Sequence, residues 1–107
     1  MRAEDGEWIG GVIGCAVAGQ PPCRRLRQMW VAPPWQGRGM GRPLLREVEA
    51  VYARQGVREI VLHARESALG FYERAGYLCS GEGFLEVGIP HRMMRKRLAG
   101  SGGKSIV

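Results

Sequence analysis

Lysine is almost missing from this chain: 107 residues hold fourteen arginines but only Lys96 and Lys104. A phosphate loop of the G-x-x-x-x-G-K-[ST] kind needs its lysine, so none can stand before Lys96. Cysteine is sparse as well. Cys15, Cys23 and Cys79 are odd in number and show no C-x-x-C spacing, which argues against a disulfide framework and a zinc site. Three free thiols suit a cytoplasmic setting, and no metal is expected. No apolar run approaches the roughly 20 residues of a membrane span, so no membrane partner is expected. The stretch VIGC, ending at Cys15, has the look of a secretory cleavage box. Glu4, Asp5 and Glu7 precede it and Gly10, Gly11 and Gly14 interrupt the apolar run, so it reads as a strand instead.

What is present is an ordinary globular composition, 45% hydrophobic and 24% charged, in a chain of 11.8 kDa. That is enough for one domain with a modest core, placed over residues 1–98 with a flexible tail at 99–107. The net charge is +6. Arginine forks onto phosphate or carboxylate, so an anionic ligand is favoured. Nucleic acid is not expected: the arginines are spread from Arg2 to Arg97, and an RNA surface needs aromatic side chains interleaved with basic ones. Trp30 and Trp35 read as packing residues beside a loop.

Hydrophobic periodicity orders the elements. Residues 8–18, WIGGVIGCAVA, predict one strand or two, and residues 19–22, GQPP, a turn. Residues 23–32, CRRLRQMWVA, predict a strand with Leu26, Gln28 and Trp30 alternating against Arg27, Met29 and Val31. A helix follows over residues 42–55, with Pro43 in its first turn and Leu44, Leu45, Val48, Val51 and Tyr52 on one face. Arg46, Glu49 and Arg54 face solvent, and Gly56 closes the helix. Residues 57–64, VREIVLHA, read as a strand buried on both faces. Ser67 is placed to cap a second helix at 68–75, ended by Gly76. A strand starts at 77–79, residues 81–90 read as an acidic loop, and 91–98 form the last strand. The fold class is therefore α/β, with a mixed sheet and helical crossovers.

Between the second strand and the first helix lies QGRGMG, residues 36–41. A helix N-terminus presents unpaired N–H groups and a partial positive charge, and glycine lets a ligand approach those groups closely. Arg38 and Arg42 stand ready to add charge-assisted contacts. This predicts a phosphate cradle. It is not a dinucleotide fingerprint, because Arg42 or Leu44 occupies the third glycine's place.

The stretch QMWVAPPWQGRGMGRPLL resembles the central acetyl-CoA-binding motif of the GNAT superfamily of N-acetyltransferases, with the pattern [QR]-x-x-G-x-[GA]. Gln36, Gly39 and Gly41 stand on its three fixed places. ALGFYERAGY, residues 68–77, resembles the family's tyrosine helix, and GFLEVGIPHRMMRKRL resembles the close of small bacterial members. The resemblance spans residues 6–98. It implies a largely antiparallel mixed sheet with helices on its faces, an acyl-CoA N-acyltransferase fold, here short at its N-terminus. It also implies acetyl-CoA as acyl donor and an unidentified amine as acceptor. Pantetheine would pair with the main chain of Met29, Trp30 and Val31, and pyrophosphate would sit on Gln36, Gly37, Arg38, Gly39, Met40 and Gly41, with Arg42 beside it.

The resemblance further implies that Tyr72 lies beside the thioester sulfur. A phenol with an ordinary pKa of about 10 can protonate the leaving thiolate there. Glu86 and His91 are taken as the groups that accept the amine's proton, while His63, ending the buried strand, reads as a packed imidazole. Two departures stand out. The connector ARES, residues 64–67, puts Arg65 and Glu66 where many members carry asparagine, and the strand and two helices that open the family domain are not matched. An uncovered edge and face predict a homodimer. The alternative reading is a catalytically degenerate acyl-CoA-binding domain with a regulatory or assembly role.

Overall fold

A computed structural model describes residues 1–17 and 23–98 of the chain; the turn expected at 19–22 and the tail expected at 99–107 lie outside them. Its elements are β1 (Gly10–Ala16), β2 (Cys23–Val31), α1 (Gly41–Arg54), β3 (Glu59–Arg65), α2 (Leu69–Arg74), β4 (Leu78–Cys79), β5 (Phe84–Glu86) and β6 (Ile89–Arg97). One sheet runs β1-β2-β3-β6-β4, with β5 paired to β6 as well. Only β2 and β3 are parallel, and α1 is the crossover between them. This is the mixed, largely antiparallel α/β architecture that the periodicity and the resemblance predict.

Register explains the first correction. β1 and β2 pair from Gly10↔Val31 to Ile13↔Gln28, then resume at Gly14↔Leu26, leaving Arg27 as the extra residue of a bulge. Strict alternation along β2 is therefore broken: Leu26 is buried in the core and Met29, three positions on, packs against the same cluster. Trp30 is displaced outward and is 44% exposed, not packed away as expected. The glycines of β1 answer crowding. A Cβ on Gly10 would collide with the Trp30 carbonyl oxygen, and one on Gly14 with the Tyr52 hydroxyl.

Both helices lie on one face of the sheet. Leu45 of α1 joins Leu26, Ile60, Leu62, Ala64, Tyr77 and Met94 in the core, and Leu69, Phe71 and Tyr72 from the α2 segment pack against it. The helices also touch: Arg42 donates to the Arg74 carbonyl at 2.7 Å, and a Cβ on Gly41 would come within 3.3 Å of the Phe71 ring. The opposite face carries Arg25, Glu59, His63 and Arg95 at alternate register positions.

Three local expectations change. Glu49 does not face solvent; its carboxylate accepts from the Tyr77 hydroxyl and from Lys96 Nζ, each at 2.9 Å. Ser67 caps nothing, because residues Glu66–Ala68 form a 3-10 turn and the α2 N-cap is Ala68. The acidic loop at 81–90 contains β5 and a two-residue turn, Val87–Gly88, so the last strand begins at Ile89. Both turn residues have positive φ, 52° and 72°, the backbone of a tight hairpin turn.

Candidate active site

β2 and β3 pair only from Cys23↔Glu59 to Leu26↔Leu62. Past that point each strand keeps its outer partner: β2 stays on β1 as far as Val31, and β3 stays on β6 as far as Arg65. The bulge at Arg27 sits where they part. The main chain of β2 beyond it has one free side. In an antiparallel ladder, successive residues aim their N–H and C=O groups alternately toward and away from the partner. Ala32 donates to Ile9 at 2.7 Å, which fixes the phase and turns the main-chain groups of Met29 and Val31 away from β1. The side-chain amide of Gln36 donates to the Val31 carbonyl at 2.9 Å, tying the glycine loop to the strand end. Of the three residues expected to bind pantetheine, Met29 and Val31 thus offer main chain to the gap, and Trp30 points its main chain back to β1.

The loop after β2 begins as a 3-10 turn, Pro33–Trp35. Gly37 and Gly39 have φ of 72° and 71°, and no atom lies within 4 Å of where a Cβ would stand on either. Among the described residues, the amides of Gly37, Arg38, Gly39 and Met40 make no main-chain hydrogen bond. They precede α1, whose first turn has no side-chain cap. Free N–H groups just before a helix N-terminus, with open space around the glycines, fit a phosphate. Arg38 is held at the surface with its guanidinium 4.3 Å from the centre of the Trp35 ring. Arg42 spends one nitrogen on α2.

Where the strands part, a cavity of about 50 Å³ is lined by Leu26, Arg27, Gln28, Met29, Leu62, His63 and Tyr72. Tyr72 enters from the helical face, edge-on to Phe71 and Tyr77 with ring centres 5.0 and 5.7 Å away. Burial alone pushes its phenol above the ordinary value, so it carries its proton throughout the neutral range.

Glu86 and His91 come together on the other face, with two groups that sequence reasoning set aside or missed. Glu86 Oε1 lies 2.8 Å from His63 Nδ1, and Oε2 lies 3.8 Å from His91 Nε2. Arg25 Nη2 is 2.8 Å from His63 Nδ1 and 4.0 Å from Glu86. The hydrogen bond from His63 is the main reason that the Glu86 carboxyl is held below its ordinary value. His91 is buried and its Nδ1 donates to the Ile89 carbonyl at 2.7 Å, which fixes its tautomer and orients the turn. The signal for His63 was present: in VLHA it alternates with Leu62, which puts it on the sheet face opposite the core.

Comparisons with known proteins agree with this fold. The family described as "Acetyltransferase (GNAT) domain" matches residues 2–98. The Bacillus subtilis protein YyaT is 31% identical over 75 residues, covering 70% of this chain and 51% of YyaT. The crystal structure of an acetyltransferase from Bacillus cereus superposes with a TM-score of 0.72 at 28% identity, over 92% of this chain and 69% of that one. An acyl-CoA N-acyltransferase from Pseudomonas aeruginosa, 21% identical, shares the fold at a TM-score of 0.75, over 88% of this chain and 64% of that one. The chain spans about half the length of the curated relatives that it matches. With the family match running over residues 2–98, the chain belongs to the GNAT acetyltransferase family.

Proposed function

We propose that this domain transfers an acetyl group from acetyl-CoA to a primary amine by direct attack, with Tyr72 as general acid. The single observation that carries the reading is the cavity between β2 and β3, which joins free main chain on one strand to a protonated phenol on α2. Acetyl-CoA would supply the acyl group as a thioester. The N–H groups of Gly37 to Gly41 would hold its pyrophosphate, with Arg38 and Arg42 alongside. Met29 and Val31 would pair with its amide-bearing arm as a neighbouring strand does. As the carbon–sulfur bond breaks, the Tyr72 hydroxyl would pass its proton to the departing sulfur. Glu86, with His91 behind it, would stand on the side from which the amine arrives.

The test starts from tryptophan fluorescence during titration with acetyl-CoA, since Trp35 lies in the loop itself. Saturable quenching is expected in the wild type. It should be lost in Gly39→Glu, which adds bulk and negative charge to the cradle. Thiol release with a panel of primary amines then separates turnover from binding. Tyr72→Phe should keep the binding isotherm and lower turnover by roughly a hundredfold, the usual scale for a general acid. Binding without thiol release in the wild type would favour the regulatory acyl-CoA-binding reading, and no binding would sink both.

A further inference from the structure

On the acetyl-transfer reading, the amine nitrogen meets the acetyl carbon where β2 and β3 part. The cavity there measures about 50 Å³, room for a few heavy atoms. The rest of the acceptor stays outside, against the side chains that form the border with solvent. Arg27 and Gln28 line the cavity and are also exposed, so they belong to that border. Neither side chain makes a hydrogen bond or an ion pair among the described residues.

Arg27 stands there because it is the extra residue of the bulge, and bulges re-aim side chains. It lies four residues before Val31, roughly 13 Å along an extended strand, and the glycine loop lies beyond Val31. A donor with its phosphates on that loop and its arm along Val31 and Met29 approaches Arg27 with its acyl end. The charge around the cavity is one-sided as well. No carboxylate lines it. Glu86, beside His63, is already answered by His63 at 2.8 Å, His91 at 3.8 Å and Arg25 at 4.0 Å. Arg25 still has a buried Nε without a partner, so donors outnumber acceptors in this cluster too.

We propose that the acceptor is an amine that carries its own carboxylate, held by Arg27 with Gln28 beside it; this rests on the acetyl-transfer reading above. A guanidinium forks onto a carboxylate through two parallel N–H groups, and the Gln28 amide adds a further donor. One guanidinium and one neutral amide match the single charge of a carboxylate, whereas a phosphate monoester brings nearly two. A polyamine is disfavoured by the same arrangement, because its second ammonium group meets a cation. Arg27 is thus a specificity residue, which holds the acid group and takes no part in bond making.

Two matched pairs of amines test this: L-phenylalanine against L-phenylalaninamide, and β-alanine against β-alaninamide. Acetyl-CoA is the donor and thiol release the readout. The amides have the less basic amines, more often neutral, which sets the comparison against the proposal. In at least one pair the acid should show a kcat/KM higher by roughly tenfold, chiefly through KM. Arg27→Gln should bring that ratio close to one without weakening acetyl-CoA binding, and Arg27→Lys should keep part of the preference. No preference for the acid in either pair, or a preference that survives Arg27→Gln, overturns the proposal. Weaker acetyl-CoA binding in Arg27→Gln also overturns it, by giving Arg27 to the donor's phosphates. If the wild type releases no thiol with any of the four amines, their N-acetyl derivatives are titrated calorimetrically onto the chain with coenzyme A present. Tighter binding of an N-acetyl acid than of its amide, lost in Arg27→Gln, keeps the carboxylate site and drops the transfer. Equal binding of acid and amide, or none, drops both.

Discussion

Val87 occupies a backbone conformation that its side chain resists. It has φ of 52° in the turn between β5 and β6 and is 94% exposed, so no packing compensates a β-branched residue in the left-handed region. Such strain is worth on the order of 1–3 kcal/mol. Val87→Asn keeps the turn and relieves the strain, and urea denaturation should show the variant more stable by about 1 kcal/mol. An unchanged or lower midpoint would mean that the valine methyls have a partner in solution. Sequence reading missed this hairpin because the usual Asn-Gly signature is replaced by Val-Gly, which looks like ordinary apolar chain.

Between elements, the contact that matters most was also illegible from sequence. Glu49 of α1 holds Tyr77 and Lys96, 28 and 47 residues away, and helical periodicity carries no information about partners that distant. Where information is local, it was readable: the glycine loop, the apolar face of α1 and the buried centre of β3 follow from residue spacing alone. The bulge, by contrast, is a property of pairing between strands and left no mark on the alternation of β2. The Glu49 network has a pH consequence. Burial, followed by the nearby Glu49 charge, raises the Tyr77 phenol far above its ordinary value, and burial raises Tyr72 as well. A raised phenol pKa means that the unfolded chain releases these protons first, near pH 10. Their contribution is complete below that pH and is lost above it, at up to about 1.4 kcal/mol per pH unit per tyrosine. Stability by denaturant titration should therefore hold from pH 7 to 9 and fall by pH 11. The fall should be shallower in Tyr77→Phe, although that variant starts lower; an equally steep fall would place the titrating groups elsewhere.

At the scale of the molecule, three of the large apolar side chains left in solvent lie together at one border, while Leu78, Leu85, Val87 and Ile89 belong to β4, β5, β6 and their turn. Trp8, Ile13 and Trp30 are 51%, 53% and 44% exposed, all beside β1, which ends the sheet. Next to them a groove of about 410 Å³ runs between β1 and α1, lined by Val12, Leu44, Val48 and Tyr52 among others. We expect this border to be covered by a second copy, so that sedimentation at micromolar concentration gives twice the 11.8 kDa chain mass and Ile13→Lys gives a single one. A monomer at every concentration would sink the idea. The parting of β2 from β3 belongs to this scale too, yet it hangs on a count of one. With Arg27 removed, Gln28 would take up the place beside Leu26 without interruption, and β2 could zip onto β3 along its length. Odd-numbered insertions or deletions between Leu26 and the glycine loop invert which groups look into the opening, whereas even-numbered ones preserve it. Tolerance to length change in this segment should therefore follow parity and not size.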